Sequence, residues 1–480
     1  MTSSLVPPTR KLRTLSGYLM MLAATAGSYL LIRGRGEELI APAPAQAVAG
    51  HAAGHNTTLA TVLLALAVII IMARGLGWAF KRYLGQPPVI GEIVAGLVLG
   101  PSVLGALAPA AYAALLPSTA APFLGIISKV GVVLFMFLVG LELDPKLLRG
   151  NGHATLAISH ASIVAPFLLG TTLALGLYPL YSSSAVSFTV FSLFLGVSLS
   201  VTAFPVLARI LTDRRVQSTP LGVTALTCAA VDDVSAWTLL AFVVSVASAQ
   251  MGDAAWTLGY VSLYLLVMFV VVRPLLARFA AGEDARTGPL DQSAMAVVFV
   301  ALLLSAVATE ASGIHALFGA FLLGAFLPHH GRLAEQIRLR LEDAVVVLFL
   351  PAFFAFTGMR TQIGLVSGAT DWLICGLIIL VATLGKFGGS FVAARLTGLG
   401  WRESTALGIL MNTRGLMELI VLNVGLDMGV LSPTLFAMLV IMALVTTFAT
   451  TPVLQLVIGD RGFADTPAPA PHAAAHVRGG

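Results

Sequence analysis

The chain has 480 residues, of which 58% are hydrophobic and only 10% are charged. An ordinary soluble domain carries about 25% charged residues, so this composition excludes a soluble globular protein. The net charge of +5 does not indicate a nucleic-acid partner, because most basic residues lie between apolar segments. Cys228 and Cys375 both lie inside apolar segments, which argues against a disulfide framework and a thiolate metal site.

Long apolar runs recur along the chain and predict an all-α polytopic membrane protein. The runs are continuous rather than alternating, which argues against a membrane β-barrel. Fourteen candidate spans follow one another at 14–32, 57–80, 88–105, 120–142, 153–178, 185–211, 220–250, 255–280, 292–312, 314–328, 341–358, 371–396, 402–425 and 432–458.

The first span follows three basic residues between positions 10 and 13, as a signal sequence would. Small-residue sites such as Ala43-Pro44-Ala45 lie far beyond the apolar run, so a retained signal-anchor helix is the favoured interpretation. The Ala/Pro-rich stretch at 36–56 indicates a loop. Residues 1–56 are therefore expected to form an anchor or signal span and a linker.

Positive charge alternates along the predicted loops. Loops after every second span are basic, and they carry Lys81, Arg82, Lys146, Arg149, Arg214, Arg215, Arg278, Arg286, Arg332, Arg338, Arg340, Arg395, Arg402 and Arg461. The intervening loops carry few such residues, with Arg33, Arg35 and Arg360 as exceptions. The alternation predicts that both termini lie in the cytoplasm. The expected location is a bacterial cytoplasmic membrane, which the chain crosses many times.

Two sequence patterns recur seven spans apart. The first pattern is Gly91-x4-Gly96-x3-Gly100-Pro101, which recurs as Gly319-x4-Gly324-x3-Pro328. The second pattern is Val132-Val-Leu-Phe135, which recurs as Val346-Val-Leu-Phe349. Because seven is odd, the two halves should enter the membrane from opposite sides, which predicts an inverted repeat typical of secondary transporters. The predicted units are a first repeat at 57–250, a linker helix at 255–280, a second repeat at 292–458 and a disordered tail at 459–480.

Polar residues interrupt the sixth span near its end. Pro205 removes a backbone hydrogen bond, and the hydroxyls of Ser200 and Thr202 can satisfy freed backbone groups. Seven spans later, Asn412 and Thr413 break the thirteenth span, and Gly415 follows them at once. Paired interruptions in corresponding spans predict a transporter site at mid-membrane, although a proline kink with a polar packing patch is the alternative.

Asp232 and Asp233 lie in the middle of the seventh span. Each carboxylate costs about 2.5–3.5 kcal/mol at the centre of a bilayer, so two adjacent acids need a functional or structural reason. Burial and mutual repulsion favour the protonated acids, which would titrate as a pair and could exchange protons for a cation. A fully hydrogen-bonded structural pair is the alternative.

Three further charged residues lie inside spans. Lys386 in the twelfth span needs a counter-ion, and the two acids are the obvious candidates. Arg414 and Glu418 lie four residues apart in the thirteenth span, where they can share a helix face. Because Arg stays protonated, this pair is interpreted as a structural ion pair.

Four segments together resemble the monovalent cation:proton antiporter-2 family, in its Kef-type and plant cation/proton exchanger branches, within the sodium/proton antiporter superfamily. They are 88–101, 200–211, 230–237 and 412–423. The resemblance covers about residues 57–458. It implies thirteen helices from residue 57 onward plus the extra N-terminal span, two crossed discontinuous helices, and a homodimer.

The same resemblance implies two domains. A dimer domain would occupy about 57–148 and 292–362, and a transport domain about 150–250 and 371–458. The stretch after residue 458 is short and Ala/Pro-rich, so the in-chain nucleotide-binding regulatory domain of Kef-type proteins is not expected.

The resemblance also assigns roles to single residues. Asp233 matches the ion-binding acid of the family, Asp232 matches the second acid of electrogenic members, and Lys386 matches the lysine that pairs with that second acid. Thr202 and its neighbour Ser200 match the unwound backbone beside the ion.

These observations predict an electrogenic secondary antiporter, and not an enzyme, that exchanges Na⁺ or K⁺ for protons by alternating access. Expected partners are the two ions, membrane lipid and a second copy of the chain, with no further cofactor and no nucleic acid. A cation channel without proton coupling and a symporter of organic anions are alternatives. An intramembrane aspartyl protease is disfavoured, because Asp232 and Asp233 point about 100° apart on one helix.

Overall fold

The computed structural model describes residues 8–42, 59–117, 119–142, 152–213, 216, 219–251, 254–286, 291–311, 315–328 and 331–458. Most of the predicted linker (43–56), the predicted tail (459–480) and the basic residues Lys146, Arg149, Arg214 and Arg215 lie outside the described residues. Every regular element in the described part is helical.

The first half of the chain contains ten helices. They are α1 (Pro8–Gly36), α2 (Leu59–Leu84), α3 (Pro88–Leu99), α4 (Leu104–Leu107), α5 (Pro109–Leu115), α6 (Ala121–Glu142), α7 (Gly152–Tyr181), α8 (Phe188–Ser200), α9 (Phe204–Asp213) and α10 (Pro220–Met251).

The second half contains ten more: α11 (Ala254–Val267), α12 (Arg273–Asp284), α13 (Gln292–Ala311), α14 (Ala316–Phe326), α15 (Arg332–Ala344), α16 (Leu350–Arg360), α17 (Gly368–Leu396), α18 (Trp401–Met411), α19 (Leu416–Asp427) and α20 (Pro433–Ile458). Wide π-helical turns at Met268–Val272 and Val345–Phe349 join α11 to α12 and α15 to α16. Each turn precedes a proline in the next helix, Pro274 or Pro351, and proline has no N–H to continue the hydrogen-bond ladder.

Helices occupy all fourteen predicted positions. In the described part of the chain, nine helices are long and apolar enough to cross a membrane, and the bent pair α18 and α19 makes a tenth. The prediction of an all-α polytopic membrane protein is confirmed, whereas the total of thirteen helices plus one stays a prediction.

Close glycine contacts join helices of the first half to helices of the second half in two corresponding pairs. A Cβ atom on Gly96 of α3 would lie 2.7 Å from the backbone of Ala355 in α16, and Gly358 of α16 abuts Gly96 in return. In the corresponding pair, Gly324 of α14 and Gly140 of α6 abut each other's helix backbone in the same reciprocal way. The third span therefore packs against the eleventh in the same way as the tenth packs against the fourth. The predicted repeat requires this likeness, because it matches the third span with the tenth and the fourth with the eleventh. The opposite orientation of the two halves stays a prediction.

The extra helix α1 packs against α7 and α8. The ring of Tyr29 lies 6.1 Å from that of Phe167, and Glu37, just after α1, accepts a hydrogen bond from Thr189 at 2.8 Å. The largest apolar core runs between α6, α8, α10, α14, α17, α19 and α20, and a second core surrounds α9 and α18. The two broken helices lie inside these cores.

Candidate ion-binding site

The two interrupted helices touch at their interruptions. Helix α8 ends at Ser200 and α9 starts at Phe204, whereas α18 ends at Met411 and α19 starts at Leu416. The backbone N–H of Ala203 donates to the carbonyl of Thr413 at 3.0 Å, and Thr202 Oγ1 lies 3.2 Å from the carbonyl of Met411. Crossing of the two broken helices stays a prediction, but their breaks form one site.

Local sequence explains where the helices restart. Pro205 is the second residue of α9, a position where its missing N–H costs nothing. Gly415 directly precedes α19, and a Cβ atom there would lie 2.7 Å from the side chain of Val206. Glycine therefore lets the start of α19 approach α9 closely.

Two buried cations occupy the C-terminal end of α8, where backbone carbonyls lack intrahelical partners and carry partial negative charge. Arg414 donates to the carbonyls of Ser198 and Leu199 at 3.3 and 2.8 Å. Lys386 donates to the carbonyl of Ser200 at 2.5 Å. Arg414 also reaches Glu418 Oε2 at 3.2 Å, so the predicted ion pair is present and is fully buried.

Asp232 is fully buried and surrounded by donors. Its Oδ2 lies 2.9 Å from Lys386 Nζ, 2.8 Å from Thr202 Oγ1 and 2.6 Å from Ser162 Oγ. Its Oδ1 accepts a hydrogen bond from Ser159. Both oxygens of this carboxylate are therefore fixed by α7, the first break and α17.

Asp233 has a different environment. The backbone of Phe204, at the start of α9, hydrogen-bonds to this carboxyl, yet Oδ1 is buried and has no partner among the described residues. In the same described part, Asn412 Oδ1 and Thr413 Oγ1 are also buried without a partner. Unpaired buried oxygens are costly, and a hard cation is a ligand that would satisfy them.

The family model described as "Sodium/hydrogen exchanger, transmembrane" matches residues 62–457 of this chain. The chain belongs to this sodium/hydrogen exchanger family. It is therefore a secondary transporter of the cation/proton antiporter class, and not an enzyme. The relatives below are named antiporters, and none of these names supports the channel alternative.

Three curated relatives illustrate the family. The Na⁺/H⁺ antiporter NhaS4 of Synechocystis is 43% identical over 401 residues, which are 83% of this chain and 97% of the relative. Cation/H⁺ antiporter 20 of Arabidopsis thaliana is 39% identical over 84% of this chain. K⁺/H⁺ antiporter 1 of Saccharomyces cerevisiae is 34% identical over 83% of this chain. The matches cover 49% and 47% of these two relatives, so the chain spans about half of their length.

One solved structure shows the same fold. The sodium proton antiporter MjNhaP1 of Methanocaldococcus jannaschii superimposes with a TM-score of 0.55 at 14% identity, over 83% of this chain and 96% of that one. The predicted antiporter fold is confirmed by this match.

In this family member the site carries an unbalanced formal charge. The site contains three acidic side chains and two basic ones, so one negative charge remains when all five are ionised. The acids are Asp232, Asp233 and Glu418, and the bases are Lys386 and Arg414. One monovalent cation or one proton would neutralise the site. Among the described residues, no group of three or more His, Cys, Asp and Glu side chains is arranged to hold a metal ion.

Sequence reasoning placed most of the site but missed two serines. Ser159 and Ser162 of α7 both contact Asp232, and their only signal was a spacing of three residues within an apolar span. The carbonyl of Ser200 binds Lys386, and its hydroxyl bonds to the backbone carbonyls of Ile163 and Gly196.

Proposed function

We propose that this antiporter exchanges Na⁺ or K⁺ for protons, with protons and the cation competing for Asp233 and Asp232. One observation carries the proposal: two adjacent buried acids have unlike surroundings. Asp232 is held by Lys386 and three hydroxyls, whereas Asp233 keeps an unpaired oxygen at the junction of the two breaks. A cation can therefore bind at Asp233 without first displacing a partner of that oxygen.

Lys386 links cation binding to proton movement. When a cation at Asp233 also attracts Asp232, the 2.9 Å ion pair with Lys386 weakens, and the freed ammonium can lose its proton. Return of protons to the site restores the ion pair. Two acids and one lysine then favour about two protons per cation, which makes the exchange electrogenic.

Neutralisation lowers the cost of moving the site. A carboxylate costs about 2.5–3.5 kcal/mol at mid-membrane, so a bound cation or proton that offsets negative charge makes it less costly for the site to cross the apolar barrier. The moving part would be the transport domain at about 150–250 and 371–458, sliding against the dimer domain at about 57–148 and 292–362.

Polar contacts between these proposed domains are concentrated at the end of α19. Asp427 lies 2.9 Å from Lys129 of α6 and 2.7 Å from Arg360 of α16. Arg360 also donates to Asn423 at 3.2 Å, and Asn423 donates to Thr357 at 2.9 Å. Alternating access would have to break this set of contacts, which we name the α19 latch (Lys129, Thr357, Arg360, Asn423 and Asp427).

The proposed setting is a homodimer in a bacterial cytoplasmic membrane with a cytoplasmic C-terminus. The alternation of basic and charge-poor loops supports this orientation. The relatives named as Na⁺/H⁺, K⁺/H⁺ and cation/H⁺ antiporters support both candidate cations.

The test is reconstitution in liposomes with a pH-sensitive dye and an imposed Na⁺ or K⁺ gradient. In the wild type, protons should cross the membrane in the direction opposite to the cation as the cation runs down its gradient. Asp233→Ala should show no such proton movement. Glu283→Ala is the control, because it removes a buried acid near the end of α12 that pairs with Arg286 and lies outside the site. Cation flux without proton movement, or full exchange by Asp233→Ala, would contradict the proposal.

A further inference from the structure

We infer that an apolar groove between α7 and α17 holds one acyl chain of a membrane phospholipid, with the phosphate of that lipid at Arg395. The groove has a volume of about 700 Å³, and Met21 of α1 also lines it. This volume lies within the range of sites that enclose small apolar ligands. The inference does not depend on the proposed exchange, because none of the residues that line the groove belongs to the ion site.

The lining of the groove is apolar. Fifteen residues of α1, α7 and α17 line it, and Thr397 alone among them has a polar side chain. The hydroxyl of Thr397 lies 3.0 Å from the carbonyls of Ala393 and Ala394, so its proton has an acceptor close by. A buried water needs about two to four polar partners, which this lining does not offer. The groove therefore suits a hydrocarbon chain rather than water.

Glycines of α17 form the groove beside a close helix contact. A Cβ atom on Gly385 would lie 2.6 Å from the backbone of Pro166, and one on Gly389 would lie 2.5 Å from the carbonyl oxygen of Ala161. These two glycines therefore let α17 touch the backbone of α7. Gly388 precedes Gly389, yet a Cβ atom on Gly388 would meet nothing within 4 Å among the described residues. Packing within this part of the chain does not require glycine at position 388, whereas an acyl chain in the groove does.

The groove has the length of one membrane leaflet. Helices α7 and α17 are both long and apolar enough to cross a membrane. The lining extends from residue 157 to residue 169 of α7, which is about 18 Å at about 1.5 Å per residue. One leaflet contributes about 15 Å of hydrocarbon, half of the ~30 Å core. Leu384 lies near the middle of α17 and Thr397 directly follows its last residue, so the groove runs from mid-membrane to one surface.

Exposed apolar side chains border the groove on its α17 side. Leu384, Val392 and Leu396 all line the groove and are all exposed. In a membrane span, exposed side chains of this kind face the acyl chains of the bilayer. A lipid of the same leaflet can therefore enter the groove from the side without crossing a polar region.

A basic residue lies at the surface end of the groove. Arg395 follows Gly388 by seven residues, about two helical turns, so both positions lie on the same side of α17. The guanidinium of Arg395 stacks on the ring of Trp401 at 4.6 Å and donates to the carbonyl of Leu399. An exposed Trp beside basic residues is typical of the membrane surface, and a guanidinium can bind a phosphate through two N–H groups. A negatively charged phosphate fits at this end, where the exposed Arg402 adds a second positive charge.

The ion site lies on the other side of α17. Lys386 precedes Gly388 by two residues, so the two positions point about 160° apart on the helix. A change at Gly388 should therefore alter the groove without touching Lys386 or its contact with Asp232.

The test uses the full chain in liposomes that contain phosphatidylglycerol with a light-activated diazirine in one acyl chain. After illumination, mass spectrometry of peptides should find the lipid attached within 157–169 and 384–397. In Gly388→Leu, the added side chain extends into the groove and displaces several methylene groups of the lipid, so labelling of these segments should fall by about tenfold. Gly376→Leu is the matched control, because its Cβ atom also meets nothing within 4 Å in the described part of α17 and its surroundings, and it does not line the groove.

Three results would overturn the inference. Labelling confined to other segments would mean that no acyl chain lies in the groove. Equal labelling of Gly388→Leu and Gly376→Leu would place the chain outside it. A lower share of dimer in Gly388→Leu than in the control, with no lipid attached to either segment, would assign the groove to a second copy of the chain. Absent exchange in the wild type would contradict only the proposed function, because labelling does not require transport.

Competition tests the position of the phosphate. Unlabelled phosphatidylglycerol should displace the labelled lipid better than a diacylglycerol with the same acyl chains, which lacks the phosphate. Arg395→Gln should abolish this difference, whereas Arg338→Gln, in an exposed ion pair of α15, should keep it. Equal competition by the two lipids in the wild type would contradict a phosphate contact at Arg395.

Discussion

The ammonium of Lys386 lies 2.9 Å from Asp232 Oδ2, and both side chains are fully buried. The neighbouring acid, Asp233, has no such partner for its Oδ1 within the described residues. Two consecutive residues of α10 thus carry the same functional group in opposite electrostatic settings.

Removal of Lys386 should destabilise the protein strongly. Lys386→Ala leaves the Asp232 carboxylate buried without its counter-ion, and loss of one member of a buried pair costs about 3–5 kcal/mol. Adding Asp232→Asn to the same chain should recover a large part of that loss, because no uncompensated charge remains. Thermal unfolding of the wild type, both single variants and the double variant gives the coupling energy. Additive losses would mean that the two side chains do not interact.

Removal of the Asp233 charge should have the opposite effect on stability. A buried charge without a partner is destabilising, and Asp233→Asn removes that charge while keeping the shape of the side chain, so the variant should unfold at a temperature at least as high as the wild type. The same variant should lose the stabilisation that added Na⁺ or K⁺ gives the wild type, since ligand binding to the folded state raises its stability. Thermal unfolding with and without each cation measures both effects. Cation stabilisation retained by Asp233→Asn would remove this residue from the binding site.

Arg414 should not tolerate replacement by Lys. Its two Nη atoms reach the carbonyls of Ser198 and Leu199 and also Glu418, whereas an ammonium is a single point charge. Arg414→Lys should lower stability by about 2–4 kcal/mol, because buried acceptors lose charged donors. Arg338→Lys is the control.

Arg338 forms an exposed pair with Glu342 at 3.6 Å, and such surface pairs contribute at most about 1 kcal/mol. Thermal unfolding of the two variants side by side checks the prediction. Equal, small losses would indicate that Arg414 does not hold the end of α8.

The physics of the membrane explains which features of the fold and the site could be predicted from the sequence. The spans were predictable because an apolar segment in lipid must satisfy its backbone internally, and helices were found at all fourteen positions. The buried charges stood out for the same reason, since Asp232, Asp233 and Lys386 are costly in lipid. Charge balance made the two acids the obvious partners of Lys386, the family resemblance singled out Asp232, and the structure shows that contact directly.

The two serines illustrate what the sequence could not give. Serine in an apolar helix usually bonds to a carbonyl of its own helix, as Ser198 and Ser390 do in this protein. Only the packing of α7 against α10 distinguishes Ser159 and Ser162 from these. The contacts of Arg414 with α8 are hidden for a similar reason, because they join residues more than 200 positions apart.

The α19 latch should control access to a small cavity between the proposed domains. Ser128 lines this cavity and is buried. The other polar residues that line it are Lys129, His315, Arg360, Asn423 and Asp427. Asp427→Asn weakens both ion pairs of the latch and should shift the population toward states with separated domains. A cysteine introduced as Ser128→Cys, with Cys228 and Cys375 replaced by Ala, should then react faster with a water-soluble maleimide.

Glu342→Gln is the matched control for the latch, because it removes an acid from an exposed pair within α15. It should leave the labelling rate of the introduced cysteine unchanged. Equal rates in the Asp427→Asn and control backgrounds would contradict a role of the latch in holding the two domains together.

The most direct test of competition at one site is the release of protons when a cation binds. Purified protein in weakly buffered detergent solution is mixed with Na⁺ or K⁺, and the released protons are counted with a pH indicator. The wild type should release more than one proton per bound cation, whereas Asp233→Asn should release none. Cation binding without proton release, or equal release by Asp233→Asn, would contradict exchange at the Asp232 and Asp233 pair.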